Sequence, residues 1–193
     1  MFVVYSRVPA ARRAFAIALA AVSLIALATP ARAQDVLTKE AAAAAKASFQ
    51  ADLDTVSSKF LQLAQAFPQD KYTWRPMEGV RSVAEVLMLA ASEGYGFIPT
   101  TFGAKPGMPG SREELAKVTD KNQIIDHLNK GFAYAKQQLQ TVDPATLTGK
   151  RKMMGRDMSI IDGMLFVGGD LHEHLGQLIA YARMNKIVPP WSK

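Results

Sequence analysis

The residues of this chain best suited to chemistry lie in one short string, Asp170-Leu171-His172-Glu173-His174-Leu175-Gly176-Gln177. Its His-x-His spacing suggests a chelate, but residues two apart on a helix are turned about 200° from each other. His172 and His174 therefore cannot hold one ion within a single chain. Asp170 and His174, four apart, share a face, and a carboxylate with an imidazole can form one edge of a divalent-metal site. A third donor must come from another helix. Without one, the pair is an i,i+4 hydrogen bond worth a few tenths of a kcal/mol, and His172 is an exposed residue on another face.

Other chemistries find less support. The chain has no cysteine, which excludes a thiol nucleophile, a disulfide and a lipoprotein anchor. The loop Gly103 to Gly110 lacks the Lys-Ser/Thr that completes a phosphate-binding loop, and neither Gly-x-Ser-x-Gly nor His-Glu-x-x-His occurs. His127, beside Asp126, reads as a surface residue with a carboxylate neighbour. Lys150, Arg151, Lys152 and Arg156 make one segment basic. It is a solvated loop or hairpin, or else a patch for an acidic partner or anionic lipid.

Four amphipathic segments must position these residues. Thr38 caps a run from Lys39 to Ala66, with Phe49, Leu53, Val56, Phe60, Leu63 and Phe67 at spacings of three and four, ended by Pro68. Ser82 and Glu85 form a capping box for a second helix running to about Phe102, its last turns weakened by Gly94, Gly96 and Pro99. After the Gly/Pro-rich loop, Ser111 and Glu114 offer a capping box for a short helix. Thr119 or Asp120 then caps a third long helix through Ile124, Leu128, Phe132, Ala135 and Leu139, ended at Asp143-Pro144. The fourth spans about Ser159 to Met184, with Leu165, Phe166, Leu171, Leu175, Leu178 and Ile179 as its apolar positions. No strand alternation and no internal repeat interrupts this pattern, so the expected fold is an all-α four-helix bundle.

A leader precedes the bundle. Arg7, Arg12 and Arg13 lead into the apolar stretch Ala14 to Ala28, and Ala31-Arg32-Ala33 supplies the small-x-small cleavage pattern. Residues 1–33 are thus expected to be a signal peptide cleaved after Ala33, making the protein periplasmic or secreted. The run is too short to anchor the mature chain in a membrane, since about 20 apolar residues are needed. Arg12-Arg13-Ala14-Phe15 also resembles part of a twin-arginine export signal. Of the 193 residues, 23 are basic and 17 acidic, but four of the basic ones and none of the acidic ones lie in the leader. The small remaining excess gives no global field for nucleic acid. Residues 34–47 form the N-terminal segment and the start of the first helix, and residues 48–192 the bundle domain.

The strings Trp74-Arg75-Pro76, Arg81-Ser82-Val83-Ala84-Glu85-Val86-Leu87, Glu173-His174-Leu175-Gly176-Gln177, Arg183-Met184-Asn185 and Pro189-Pro190-Trp191-Ser192 together resemble the DinB-like family of four-helix bundles. The resemblance spans roughly Ser48 to Ser192. It implies up-down-down-up helix order, frequent homodimers and a surface-open divalent-metal site, zinc or nickel, made by three histidines. Carried over residue by residue, those positions are Leu89, Asp170 and His174. Only His174 is retained. Leucine cannot ligate a metal, and aspartate does so only through oxygen, so the family's triad is broken here.

Two readings follow. In the first, the chain is an exported ligand-binding or scaffold member with a degenerate site, no bound metal and a small-molecule ligand not identified by its sequence. In the alternative, Glu93, one turn beyond Leu89, replaces the missing donor, and Glu93, Asp170 and His174 hold one divalent ion for hydrolase or transferase chemistry.

Overall fold

The computed structural model describes residues 37–192. The leader, and with it the expected cleavage after Ala33, lies outside them. Helix α1 (Lys39–Ala66) starts where the Thr38 hydroxyl accepts the Ala41 N–H at 3.1 Å. Helix α2 (Val83–Ser92) begins with the full Ser82/Glu85 capping box, and a π-helical turn, Glu93–Phe97, carries it into the short α3 (Ile98–Thr101). Another capping box, Ser111/Glu114, opens α4 (Arg112–Leu115). Asp120, not Thr119, caps α5 (Lys121–Gln140), its carboxylate accepting the Gln123 N–H at 2.9 Å.

The basic segment is a hairpin. Strands β1 (Lys150–Met153) and β2 (Arg156–Ser159) pair antiparallel from Lys150↔Ser159 to Met153↔Arg156. Met154 and Gly155 make its two-residue turn at φ 48° and 76°, the left-handed pair that such tight hairpins require. Lys152 pairs with Asp157 at 3.6 Å within it. Ser159 then forms a capping box with Asp162 at the head of α6 (Ile160–Met184).

The long helices enclose one apolar core, in which α5 and α6 each pack against both α1 and α2. Phe60, Leu63, Leu87, Leu128, Leu139 and Leu178 are fully buried there. Helix α6 turns Ile160, Met164, Val167, Leu171, Leu175 and Leu178 inward. Leu165 and Phe166, expected among its apolar face, fall off that stripe and are 73% and 44% exposed. Phe166 instead meets the edge of Phe97, ring centroids 5.8 Å apart.

Contacts across the helix ends fix how the elements run. The last carbonyls of a helix have no partner within it. At the end of α1, Tyr72 donates its hydroxyl to Ala64 at 2.6 Å, and Lys121, at the head of α5, donates to Gln65 and Phe67 at 2.7 and 2.8 Å. At the opposite ends, Lys46 of α1 donates to the Gln140 and Val142 carbonyls that close α5. On α6, His172 meets Asp52 of α1, while Tyr181 donates to the Arg81 carbonyl just before α2 at 3.0 Å. Trp74 packs edge-on against Tyr181, so the Trp74-Arg75-Pro76 string serves to tie the α1–α2 connection to the end of α6.

One approach is closer than any side chain allows. A Cβ on Gly131 of α5 would stand 2.5 Å from the Ala91 carbonyl oxygen, and one on Gly94 would stand 2.6 Å from the Gly131 carbonyl carbon. Glycine is required at both points because backbone meets backbone. Gly176, on the exposed face of α6, has nothing within 4 Å of the same position. Gly131→Ala is therefore expected to destabilise the protein by about 1–3 kcal/mol, and Gly176→Ala to stabilise it by about 0.5–1 kcal/mol. Urea unfolding of the two variants measures both. Equal effects would show that the close approach is not a constraint.

Candidate metal centre

The π turn delivers Glu93. Pro99 has no N–H to donate back to the Tyr95 carbonyl four residues earlier, and its ring crowds that carbonyl. The Gly107 N–H takes the donor's place at 2.8 Å, and Ile98 reaches one residue further, to the Glu93 carbonyl. The residues expected to weaken the helix thus widen one turn of it, and the chain stays helical through Thr101. Widened turns of this kind insert a residue and re-aim the side chains around it.

Glu93 is 4% exposed and faces α6. Its Oε1 lies 3.6 Å from His174 Nε2, and that nitrogen lies 3.8 Å from Asp170 Oδ1. One ligand atom from each of the three residues falls within 4.8 Å of the others. Asp170 and His174 therefore make no direct hydrogen bond, contrary to the paired arrangement their spacing suggests. Nor is Glu93 a solvated helix residue. The three groups converge on a cavity of about 480 Å³, also lined by Arg81, Leu89, Phe97, Arg112 and Met154.

Burial, together with the charge and hydrogen bonding of Asp170, pushes the Glu93 carboxyl up to about 8, while Arg112 and Arg81 pull the other way. A divalent ion would relieve the same cost by taking the place of the proton. The donor set suits one: two ligand atoms around a tetrahedral zinc stand roughly 3.3 Å apart, given bonds of about 2.0–2.1 Å. The separations from His174 exceed that by only a few tenths of an ångström. The group can therefore hold a metal, with a fourth side open to the cavity.

The other histidines stand apart. His172 is half-exposed on a different face of α6, as its spacing requires, and contacts Asp52 Oδ1 at 2.8 Å. His127 does not use its neighbour Asp126, which pairs with Lys130 at 2.6 Å. Its Nδ1 lies 3.4 Å from the Tyr95 hydroxyl. Burial and the Asp126 charge push that hydroxyl up to about 12, so it stays protonated. Leu89 lines the cavity at the place where the resemblance expects a histidine. Arg81 and Arg112, which sequence reasoning did not single out, line it too. Only their position in the fold reveals them.

The family model of the DinB superfamily matches residues 52–178. The chain belongs to the DinB superfamily. The match spans α1 from Asp52, all of α2 and α5, and α6 through His174. No curated protein matches this DinB-superfamily chain.

The buried carboxyl has a consequence for stability. An unfolded glutamate ionises near about 4.3, so between that value and about 8 the folded state keeps a proton that the unfolded state has lost. Stability of the metal-free protein is thus expected to fall as pH rises across this window. Glu93→Gln, which stays neutral, should flatten the fall. Denaturant midpoints of both proteins between about pH 5 and pH 8 in a chelator measure this; parallel curves would contradict it.

Proposed function

We propose that this DinB-superfamily protein is an exported, divalent-metal-binding four-helix bundle whose ion is held by Glu93, Asp170 and His174. The observation that carries the reading is the convergence of three ligand atoms from two helices, one of them on a buried glutamate. Zinc suits the one-nitrogen, two-oxygen set and the small cluster. Up-down-down-up order belongs to the same proposal. Its support is that α1 and α5 meet start to end, α1 and α6 run side by side in the same sense, and Arg81 and Glu93 of α2 meet α6 near Tyr181 and His174 respectively.

When bound, the ion supplies Lewis-acid polarisation to whatever occupies its open side. The chain's own residues do the rest. Glu93 anchors the centre from the protein interior, Asp170 and His174 complete it from α6, and Leu89, Phe97 and Met154 form apolar walls. This arrangement suits hydrolytic or group-transfer chemistry. Export is supported by the basic n-region, apolar stretch and Ala31-Arg32-Ala33 pattern of residues 1–33. Among the described residues, no helix is long and apolar enough to cross a membrane.

A second reading is a ligand-binding scaffold in which the ion site has lapsed. It is favoured by Leu89 and by the ability of Glu93 to keep its proton beside Asp170. Metal content separates the two. The full chain, expressed with its own leader and no polyhistidine tag, is expected to bind one zinc per molecule. His174→Ala and Glu93→Gln should weaken binding at least about tenfold, since even outer-shell substitutions at metal sites cost that much. Leu89→His, which adds a donor, should strengthen it. Zinc titration against a chelator dye tests this, and an unmodified protein that takes up no zinc would leave the scaffold reading.

A further inference from the structure

We propose that Arg81 and Arg112 clamp an anionic group at the mouth of the metal centre, so that the ligand is a small molecule carrying a carboxylate or phosphate. The inference deepens the metal-site reading and rests on it for the ligand's orientation. Arg81 immediately precedes the Ser82 cap of α2, and Arg112 is the first residue of α4. Both line the 480 Å³ cavity of the metal centre, and both line a neighbouring cavity of about 370 Å³. They therefore stand where the two cavities meet. Both are exposed, and neither guanidinium has an ion-pair or hydrogen-bond partner among the described residues. Arg75, on the wall of the second cavity, differs in being occupied by Glu85 at 3.2 Å and the Val80 carbonyl at 3.0 Å.

Charge counting indicates what these two arginines await. Glu93 and Asp170 together balance a divalent ion, which leaves both guanidinium charges uncompensated. Each offers several donors in a planar fork that matches carboxylate and phosphate oxygens. Leu89 lies on the wall of both cavities, with Met88 and Ala116 beyond it in the second. A ligand with an anionic head at the arginines, a short apolar body along these residues and its reacting end toward His174 fits this order of surfaces.

Isothermal titration calorimetry of the full, untagged chain with inorganic phosphate and with succinate tests the clamp, in zinc-loaded and chelator-treated protein. One or both anions should bind to the zinc-loaded protein, the tighter one identifying the headgroup. Arg81→Gln and Arg112→Gln should each weaken binding about tenfold or more, and the double substitution should abolish it. Zinc content should stay unchanged in all three. Lys130→Gln, on an exposed and already paired lysine, should have no effect. Failure of both anions to bind, or binding untouched by the double substitution, overturns the clamp even if zinc is bound. Arginine-dependent binding that is the same in chelated protein, with no zinc taken up, upholds the clamp and places the failure in the metal reading.

Discussion

The contact between the backbones of Gly94 and Gly131 is the constraint on which the rest of the site depends. Side chains normally hold helices 8–10 Å apart, and only glycine on both sides lets carbonyl and Cα surfaces touch. Here the contact fixes the end of α2 against the middle of α5, with Ala91 and Phe132 bordering it. Immediately beyond, Pro99 denies the helix one donor, and the chain responds with a wider turn closed by Gly107. The direction in which Glu93 points follows from that turn. A regular helix would rotate everything beyond it relative to the core.

Burying a carboxyl this deeply is costly unless something compensates. The protein places three compensations within reach: a proton, an ion shared with Asp170 and His174, and the positive field of Arg81 and Arg112. These compete, because ion and proton occupy the same oxygen, whereas the arginines act through space and remain free to meet another anion. Such a site can exchange its occupant without refolding. The elements that build it are otherwise fully satisfied, and no buried side-chain nitrogen or oxygen among the described residues lacks a hydrogen-bond partner.

Much of the scaffold is written locally and could be read from the chain. The Ser82/Glu85 and Ser111/Glu114 boxes form as expected because both partners lie three residues apart, with no tertiary contact needed. The same holds for the angular separation of His172 from His174. Choices made by tertiary contact were not legible. Asp120 wins the cap of α5 over Thr119, whose carbonyl accepts from Gln69. Leu165 and Phe166 are apolar yet outside the stripe that faces α1 and α2. Lys46 and Lys121 close helices some ninety and fifty residues away in sequence. Glu93 could be nominated from its spacing to Leu89, but its burial depends on the π turn and on α6, neither of which a helical periodicity reveals. The two arginines carry no motif at all and acquire meaning only from the cavity they share.

The account's central claim is that one nitrogen and two carboxylates from α2 and α6 hold a single ion. X-ray absorption spectroscopy of the zinc-loaded protein tests it most directly. The expected spectrum has a first shell of oxygen and nitrogen at about 2.0–2.2 Å, with the outer-shell scattering of one imidazole, lost in His174→Ala. Scattering from two or more imidazoles, or a spectrum unchanged by that substitution, would contradict the account and place the ion elsewhere in the molecule.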